Sequence, residues 1–247
     1  MQAKDKTFIY GKHPVTEALD RAPHTVRHLY FVEGHETGAL RARAVKHGIP
    51  FDRCDELHLP KGFDREAVHQ GVVALVTTSA LLVDYKTFIQ GQDVSAETAL
   101  VLLDELTDPH NVGAVIRSAA AFGIAGVLIP EHRQAQVTGT VVKVSAGMAF
   151  ALPLVQVGNV NTVLRDLKDR GFWIYGLDGK GTTALPDESF TKPSVFVLGN
   201  EERGLREKTA ELCDFTLSIP IDERCESLNA SVSAAVALYQ WRAQHRF

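Results

Sequence analysis

Cysteine, methionine and tryptophan are scarce in this chain of 247 residues, at three, two and two copies. Cys54, Cys213 and Cys225 form no C-x-x-C pair and have no metal-site spacing to histidine. An odd number in that arrangement argues against a disulfide framework and against a zinc site, so buried or incidental thiols and no metal are expected. No run of about 18 apolar residues occurs, which excludes a transmembrane helix and any membrane partner reached through one. The opening Met-Gln-Ala-Lys-Asp-Lys lacks an apolar signal core, so a cytoplasmic protein is expected. The chain also lacks a basic excess: its net charge is −4, where a nucleic-acid binder is usually positive. The distribution says more than the sum. Residues 1–79 carry 11 Lys+Arg against 10 Asp+Glu and seven of the ten histidines, whereas residues 80–247 carry 15 against 20. Glycine-rich phosphate loops are missing too. No G-x-G-x-x-G follows a strand, and Gly179-Lys-Gly-Thr-Thr has Ile174 where a Walker loop needs glycine.

What is present is a chain with 45% hydrophobic and 23% charged residues, enough for a packed core. The front segment alternates element types. Strands are expected at Thr7–Tyr10, His28–Phe31, Pro50–Cys54 and Val72–Thr77, with helices at Pro14–Arg21 and Ala39–His47, the second closed by Gly48. This makes a small α/β domain over 1–79. Residues 80–98 lose the rhythm and read as a linker with one helical turn near Tyr85–Ile89, its Leu81, Leu82 and Val83 packing on a neighbouring domain. From 99 to 247, strands are expected at Ala99–Leu103, Gly126–Ile129, Phe172–Leu177, Val195–Leu198 and Phe215–Ile219. Helices fall near 112–122, 159–170, 204–212 and 231–244. Continuous apolar strands alternating with helices imply a parallel sheet covered on both faces.

Three segments at strand ends could carry chemistry. The first, Asp108-Pro-His-Asn-Val-Gly-Ala-Val-Ile-Arg-Ser, follows a buried strand, at the carboxyl edge where open α/β sheets bind ligands. Asn111 reads as an N-cap, and Arg117 stands on an otherwise apolar helix, where a guanidinium needs a partner, a ligand or solvent. The second, Val195-Phe-Val-Leu-Gly-Asn-Glu-Glu-Arg-Gly-Leu, runs a strand into a turn whose free backbone groups at Leu198, Gly199 and Asn200 suit an adenine edge or a ribose. Glu201 is expected there as a buried acid. The third is Ser218-Ile-Pro-Ile followed by Glu226-Ser-Leu-Asn-Ala-Ser. In it Ser227 and Asn229 are capping residues that could also bind a cofactor at a helix N-terminus.

Taken together, Asn111-x-Gly113-x-x-x-Arg117, Leu198-Gly-Asn-Glu201-x-x-Gly204 and Ile219-Pro220 with Ser227-Leu-Asn229 resemble the three signature motifs of the SpoU-type (TrmH-like) RNA ribose 2′-O-methyltransferases. Lys143-Val-Ser-Ala-Gly147 with Leu152-Pro153 resembles that family's middle region. Ile9-Tyr-Gly-Lys-His-Pro-Val and Val68-His-Gln-Gly-Val resemble the substrate-binding domain of the branch that methylates a 23S rRNA guanosine, a domain similar to the L30e fold. The resemblance implies an α/β fold with a deep trefoil knot in the carboxyl-terminal parallel-sheet domain, S-adenosylmethionine as cofactor, RNA as substrate and a homodimer whose site forms between subunits. Carried over residue by residue, it implies catalytic roles for Asn111, Arg117, Glu201, Ser227 and Asn229. Cofactor contacts are implied at Leu198, Gly199, Asn200, Ile219, Pro220, Leu228 and Ala230, and RNA contacts at Tyr10, His13, His69 and Gln70. Two positions depart from the pattern: Glu202 stands where the family often has glycine, and Phe150 where many relatives carry glutamate. A tRNA ribose methyltransferase and a non-catalytic RNA-binding ribosome-assembly factor are the alternative readings.

Overall fold

A computed structural model describes residues 5–64 and 66–245. The chain divides into two compact units, residues up to Leu82 with Val137–Ala151, and Val83–Gln136 with Leu152 onward.

The first unit is built on a sheet of four strands, β1 (Lys6–Tyr10), β2 (Val26–Val32), β3 (Phe51–Cys54) and β4 (Val72–Thr77), in the order β1-β4-β2-β3. β4 runs antiparallel to both neighbours and β3 parallel to β2. Helices α1 (Lys12–Arg21) and α2 (Gly38–Lys46) bury Val15, Ala18, Leu19, Leu40 and Ala44. Strand alternation sends Ile9, Leu29 and Phe31 into the core while Phe8, Tyr10 and Tyr30 take the opposite face, as a period of two requires. On that face Phe8 and Tyr10 meet the buried Phe63 edge-on at 6.0 and 5.5 Å. Continuing the strand numbering, β5 (Leu82–Asp84) and then α3 (Tyr85–Gln90) occupy the stretch expected as a linker. The expected turn at 85–89 forms α3, capped by Asp84, but residues 82–84 add an edge strand and leave Val83 40% exposed rather than packed.

The second unit carries β6 (Ala99–Leu103), α4 (Pro109–Ala121), β7 (Gly126–Pro130), β8 (Leu154–Val157), α6 (Val160–Asp169), β9 (Trp173–Leu177), β10 (Thr183–Ala184), β11 (Ser194–Leu198), α7 (Glu207–Ala210), β12 (Phe215–Ser218) and α8 (Ala230–Ala243); α5 (Gly139–Val144) belongs to the first unit. The sheet order is β10-β12-β9-β11-β6-β7-β8-β5, and every pairing from β10 to β8 is parallel. β6, β7 and β11 are buried at every residue, which explains their unbroken apolar runs. Leu100, Leu102, Leu128, Val155, Val195 and Val197 pack with Val160, Val163, Leu164 and Leu167 of α6 and with Phe88 and Ile89 of α3. α4 and α8 pack on each other, burying Val112, Val115, Ile116, Ala119, Ala234, Ala237, Leu238 and Trp241.

The end of β6 is tied to the turn after β11. The Asp104 amide donates to the Leu198 carbonyl at 2.7 Å, and the buried Asp104 carboxylate accepts from Arg206 Nε at 3.1 Å and pairs with its Nη2. Removing Arg206 strands a charge that is only 1% exposed. Arg206→Ala is expected to cost about 3 kcal/mol, read as a lower midpoint in urea, while Asp104→Asn in the R206A background recovers part of it.

Candidate functional site

The carboxyl ends of β9, β11 and β12 open on one cavity of about 400 Å³. Its wall combines apolar Leu177, Leu198, Leu217, Ile219 and Leu228 with small or backbone-exposing Gly179, Gly199, Gly204 and Ala230. Asn200, Glu201, Ser227 and Ser233 supply polar groups, and Asp178, Asp222, Glu223 and Glu226 supply acid. The volume falls in the range of small-molecule sites. The Gly199 turn is held by paired backbone bonds: Asn200 N donates to Gly204 O at 3.0 Å and Gly204 N to Asn200 O at 2.9 Å. Gly204 supplies the left-handed residue, with φ of +69°.

Beside the cavity a chain of side chains joins the three strand-end segments. Asn229 Nδ2 donates to Asn111 Oδ1 at 3.0 Å, and Asn111 Nδ2 donates to Glu201 Oε1 at 3.1 Å. Glu201 also accepts from Asp108 N at 3.4 Å and Asn200 Nδ2 at 3.4 Å. Asn200 Nδ2 in turn reaches the Glu105 carbonyl at 2.9 Å. A carboxylate can only accept, so Glu201 fixes which way the Asn111 amide points, and Asn111 then fixes Asn229. Asn229 caps α8 through Ser231 N at 2.9 Å. Asn111→Ala removes the shared link. We expect cofactor affinity to fall about tenfold by calorimetry, the size of one buried polar link and its orphaned partners.

Two expectations need correction. Asn111 is not an N-cap: Asp108 caps α4, accepting from His110 N at 2.8 Å with Pro109 at the first helical position, so Asn111 is a buried first-turn residue free to bond sideways. Glu201 is exposed rather than buried, held instead by amide donors. Of the expected cofactor residues, Leu198, Gly199, Asn200, Ile219, Leu228 and Ala230 line the cavity, as does Ser227; Pro220 does not. Arg117 does not line it either. It is exposed on α4 with no hydrogen bond or ion pair among the described residues. Ala114, one helical turn before it, borders with Ser118 a shallow apolar hollow completed by Val232, Ala235, Val236 and Tyr239 of α8; Arg117 itself does not line that hollow. Val232, Val236 and Tyr239 are 47, 37 and 59% exposed.

The sequence reading missed Asp178, Gly179, Asp222 and Glu223. Gly179 belongs to the turn set aside as a false phosphate loop, and its position after β9 was the available signal. In the first unit, Tyr10 accepts a hydrogen bond from Lys143 Nζ at 2.9 Å, His13 and Gln70 are exposed and His69 is buried. Phe150 is buried at 6% exposure, a packing residue in this chain. Burial pushes the Cys213 thiol up to about 12, so it is no nucleophile. Among the described residues no His, Cys, Asp and Glu group is placed to hold a metal, and no helix is long and apolar enough to cross a membrane.

Residues 98–239 match the SpoU rRNA Methylase family, and residues 8–81 match the RNA 2′-O ribose methyltransferase substrate binding family. A 23S rRNA (guanosine-2′-O-)-methyltransferase of Nitrosomonas europaea is 35% identical over 243 residues, 96% of this chain and 92% of the relative. An uncharacterized tRNA/rRNA methyltransferase of Synechocystis is 36% identical over 97% of this chain, which spans 63% of that longer protein. The SpoU methyltransferase AviRb of Streptomyces viridochromogenes, solved with AdoMet, superposes with a TM-score of 0.77 at 28% identity, covering 97% of this chain and 90% of that one. With both segments matched and full-length relatives above 30% identity, the chain belongs to the SpoU rRNA methylase family.

Proposed function

We propose that this protein transfers a methyl group from S-adenosylmethionine to the ribose 2′-hydroxyl of a guanosine in 23S rRNA, acting in the cytoplasm as a homodimer. The observation that carries the reading is the Asn229–Asn111–Glu201 chain, which gathers all three motif segments at one strand-end cavity. The cavity fits the cofactor by chemistry: apolar walls for an adenine ring, backbone approach at Gly199 and Gly204, and acidic groups for a sulfonium and an ammonium. Leu198, Gly199, Ile219, Leu228 and Ala230 would hold its adenosine end.

The cofactor supplies an activated methyl carbon; the chain's own residues must bring a ribose oxygen into line with it. Alignment converts a two-body encounter into a unimolecular step and supplies much of the acceleration. Arg117 binds the neighbouring phosphate and orients the hydroxyl. A guanidinium has donors only and no lone pair to take a proton, so its role is positioning, and the hydroxyl proton leaves to solvent as the methyl group is transferred. Asn111, Glu201, Ser227 and Asn229 keep the cavity rim in place.

The hollow between α4 and α8 supports the dimer. Exposed Val232, Val236 and Tyr239 gain by burial, and Arg117, exposed one helical turn from Ala114 at the hollow's edge, would stand beside a second copy docked there. The knotted path implied by the family is supported by strand order. β12 lies beyond β9 from β11, so the β11–β12 connection must cross β9, while the chain from β9 visits β10 beyond β12 before returning to β11.

Labelled methyl donor offered with 23S rRNA and tRNA transcripts tests the reading. Label mapped to a guanosine ribose of 23S rRNA is expected; label in tRNA alone, or none with either, overturns it. A chelator is expected to leave the transfer rate unchanged.

A further inference from the structure

An open hollow in the first unit is lined by Lys12, His35, Glu56, Ala67, Val68, His69 and Gln70. His69 is 7% exposed and both its ring nitrogens are engaged. Gly71 N donates to Nδ1 at 3.1 Å, so Nδ1 is the unprotonated nitrogen; Nε2 then carries the hydrogen and donates to Glu56 Oε2, also at 3.1 Å. The ring has nothing left to offer a ligand. Between His69 and Gly71 stands Gln70, whose φ of +51° puts a non-glycine residue in the left-handed region, a conformation that costs about 1 kcal/mol or more and persists only where its surroundings hold it. Its own side chain is half used. Oε1 accepts from Lys12 N at 3.0 Å, bracing the start of α1, while the Nε2 amide has no partner among the described residues. Gln70 is exposed and borders the hollow.

Resting on the reading of the protein as an RNA methyltransferase, we infer that His69 is a positioning residue, not an RNA ligand. It locks the Gln70 turn so that the Gln70 Nε2 amide is presented as a hydrogen-bond donor to an unpaired nucleotide of the RNA. Unstacked nucleotides expose acceptors on their base edges that a fixed carboxamide can meet. The strained backbone is thereby tied to a use: a flexible Gln70 would have to be ordered anew at each binding event.

The test uses the full-length protein, in vitro transcribed 23S rRNA and a labelled methyl donor, with KM for RNA and kcat measured for Q70A, H69N and H69L. Asparagine at 69 keeps an oxygen that can accept from the amide two residues on, as in an Asx-turn, whereas leucine cannot. Q70A and H69L are each expected to raise KM for RNA about tenfold with kcat at saturating RNA and cofactor affinity unchanged, and H69N to stay within about twofold of the parent. Equal losses in H69N and H69L would assign the ring itself to the RNA and overturn the inference. A Q70A or H69L protein with parental KM also overturns it. Failure of the parent protein to methylate any RNA would instead strike the proposed function, so the two failures are separable.

Discussion

Arg117→Ala is expected to lower methyl transfer to RNA by about 10²–10³-fold while leaving cofactor affinity within about twofold, the loss typical of a group that aligns or stabilises the reacting centre. Two observations set this expectation. Arg117 is exposed and has no partner among the described residues, so its removal should cost the fold little. It also lies off the cavity wall, so cofactor binding has no reason to change. Single-turnover transfer and calorimetry read the two effects separately, and a near-normal transfer rate for R117A would remove Arg117 from the mechanism. The proposed dimer makes the same residue testable in mixtures. A230F should fill the cavity beside Leu228 and abolish cofactor binding in its own protomer. If Arg117 acts across the α4–α8 face, mixing R117A and A230F in equal amounts should restore roughly a quarter of parental activity, because half the dimers are mixed and each carries one intact site. No recovery after subunit exchange would place Arg117 in the same protomer as the cofactor it serves.

How much of this was legible in the sequence depended on length and periodicity. β4 and β6 fall on their expected residues, and β1, β7, β11 and α4 within a few, because apolar runs bounded by turn residues fix them. β8 and β10 were missed. Leu154–Val157 is four residues with a polar Gln156, and Thr183–Ala184 is two residues whose pairing with β12 depends on a partner thirty-odd positions away. The segment 137–151 resembles the family's middle region and falls within the matched methylase residues 98–239. Its α5 runs beside β1, with Gly139 close against Thr7, a long-range packing choice that no local pattern encodes. At the site, the strand-end position of each motif was readable, but not what the polar residues bond. Asn111 looked like a cap because asparagine before an apolar run usually is one. Asp108 and Pro109 outcompeted it and left its amide to bridge Glu201 and Asn229.

Gly199 should be the least replaceable residue of the cavity. A β-carbon there would sit 2.3 Å from Gly204 C, 2.4 Å from Gly204 O and 2.5 Å from Leu205 N, all backbone atoms that cannot rotate away. Relief requires opening the turn held by the Asn200–Gly204 bonds, which would carry Glu201 off Asn111 and take a wall from the cavity. G199A is therefore expected to cost about 3 kcal/mol, at the upper end for overpacking, which lowers Tm by roughly 6–12 °C at this chain length. Cofactor affinity should fall by more than about tenfold, since the wall moves as well as the stability. Gly179 supplies the control. It lines the same cavity, but a β-carbon added to it meets nothing within 4 Å. G179A should thus keep Tm within about 2 °C, as an uncrowded surface change does. Gly204 falls between them, with open space around it but φ of +69°, so G204A should cost only the left-handed penalty of about 1 kcal/mol and G204N less. The order Gly179, Gly204, Gly199 in rising cost, read by thermal melts and calorimetry on the three alanine variants, follows from close backbone approach at the strand end. Equal costs at all three would mean the turn after β11 is too soft to form the cavity wall.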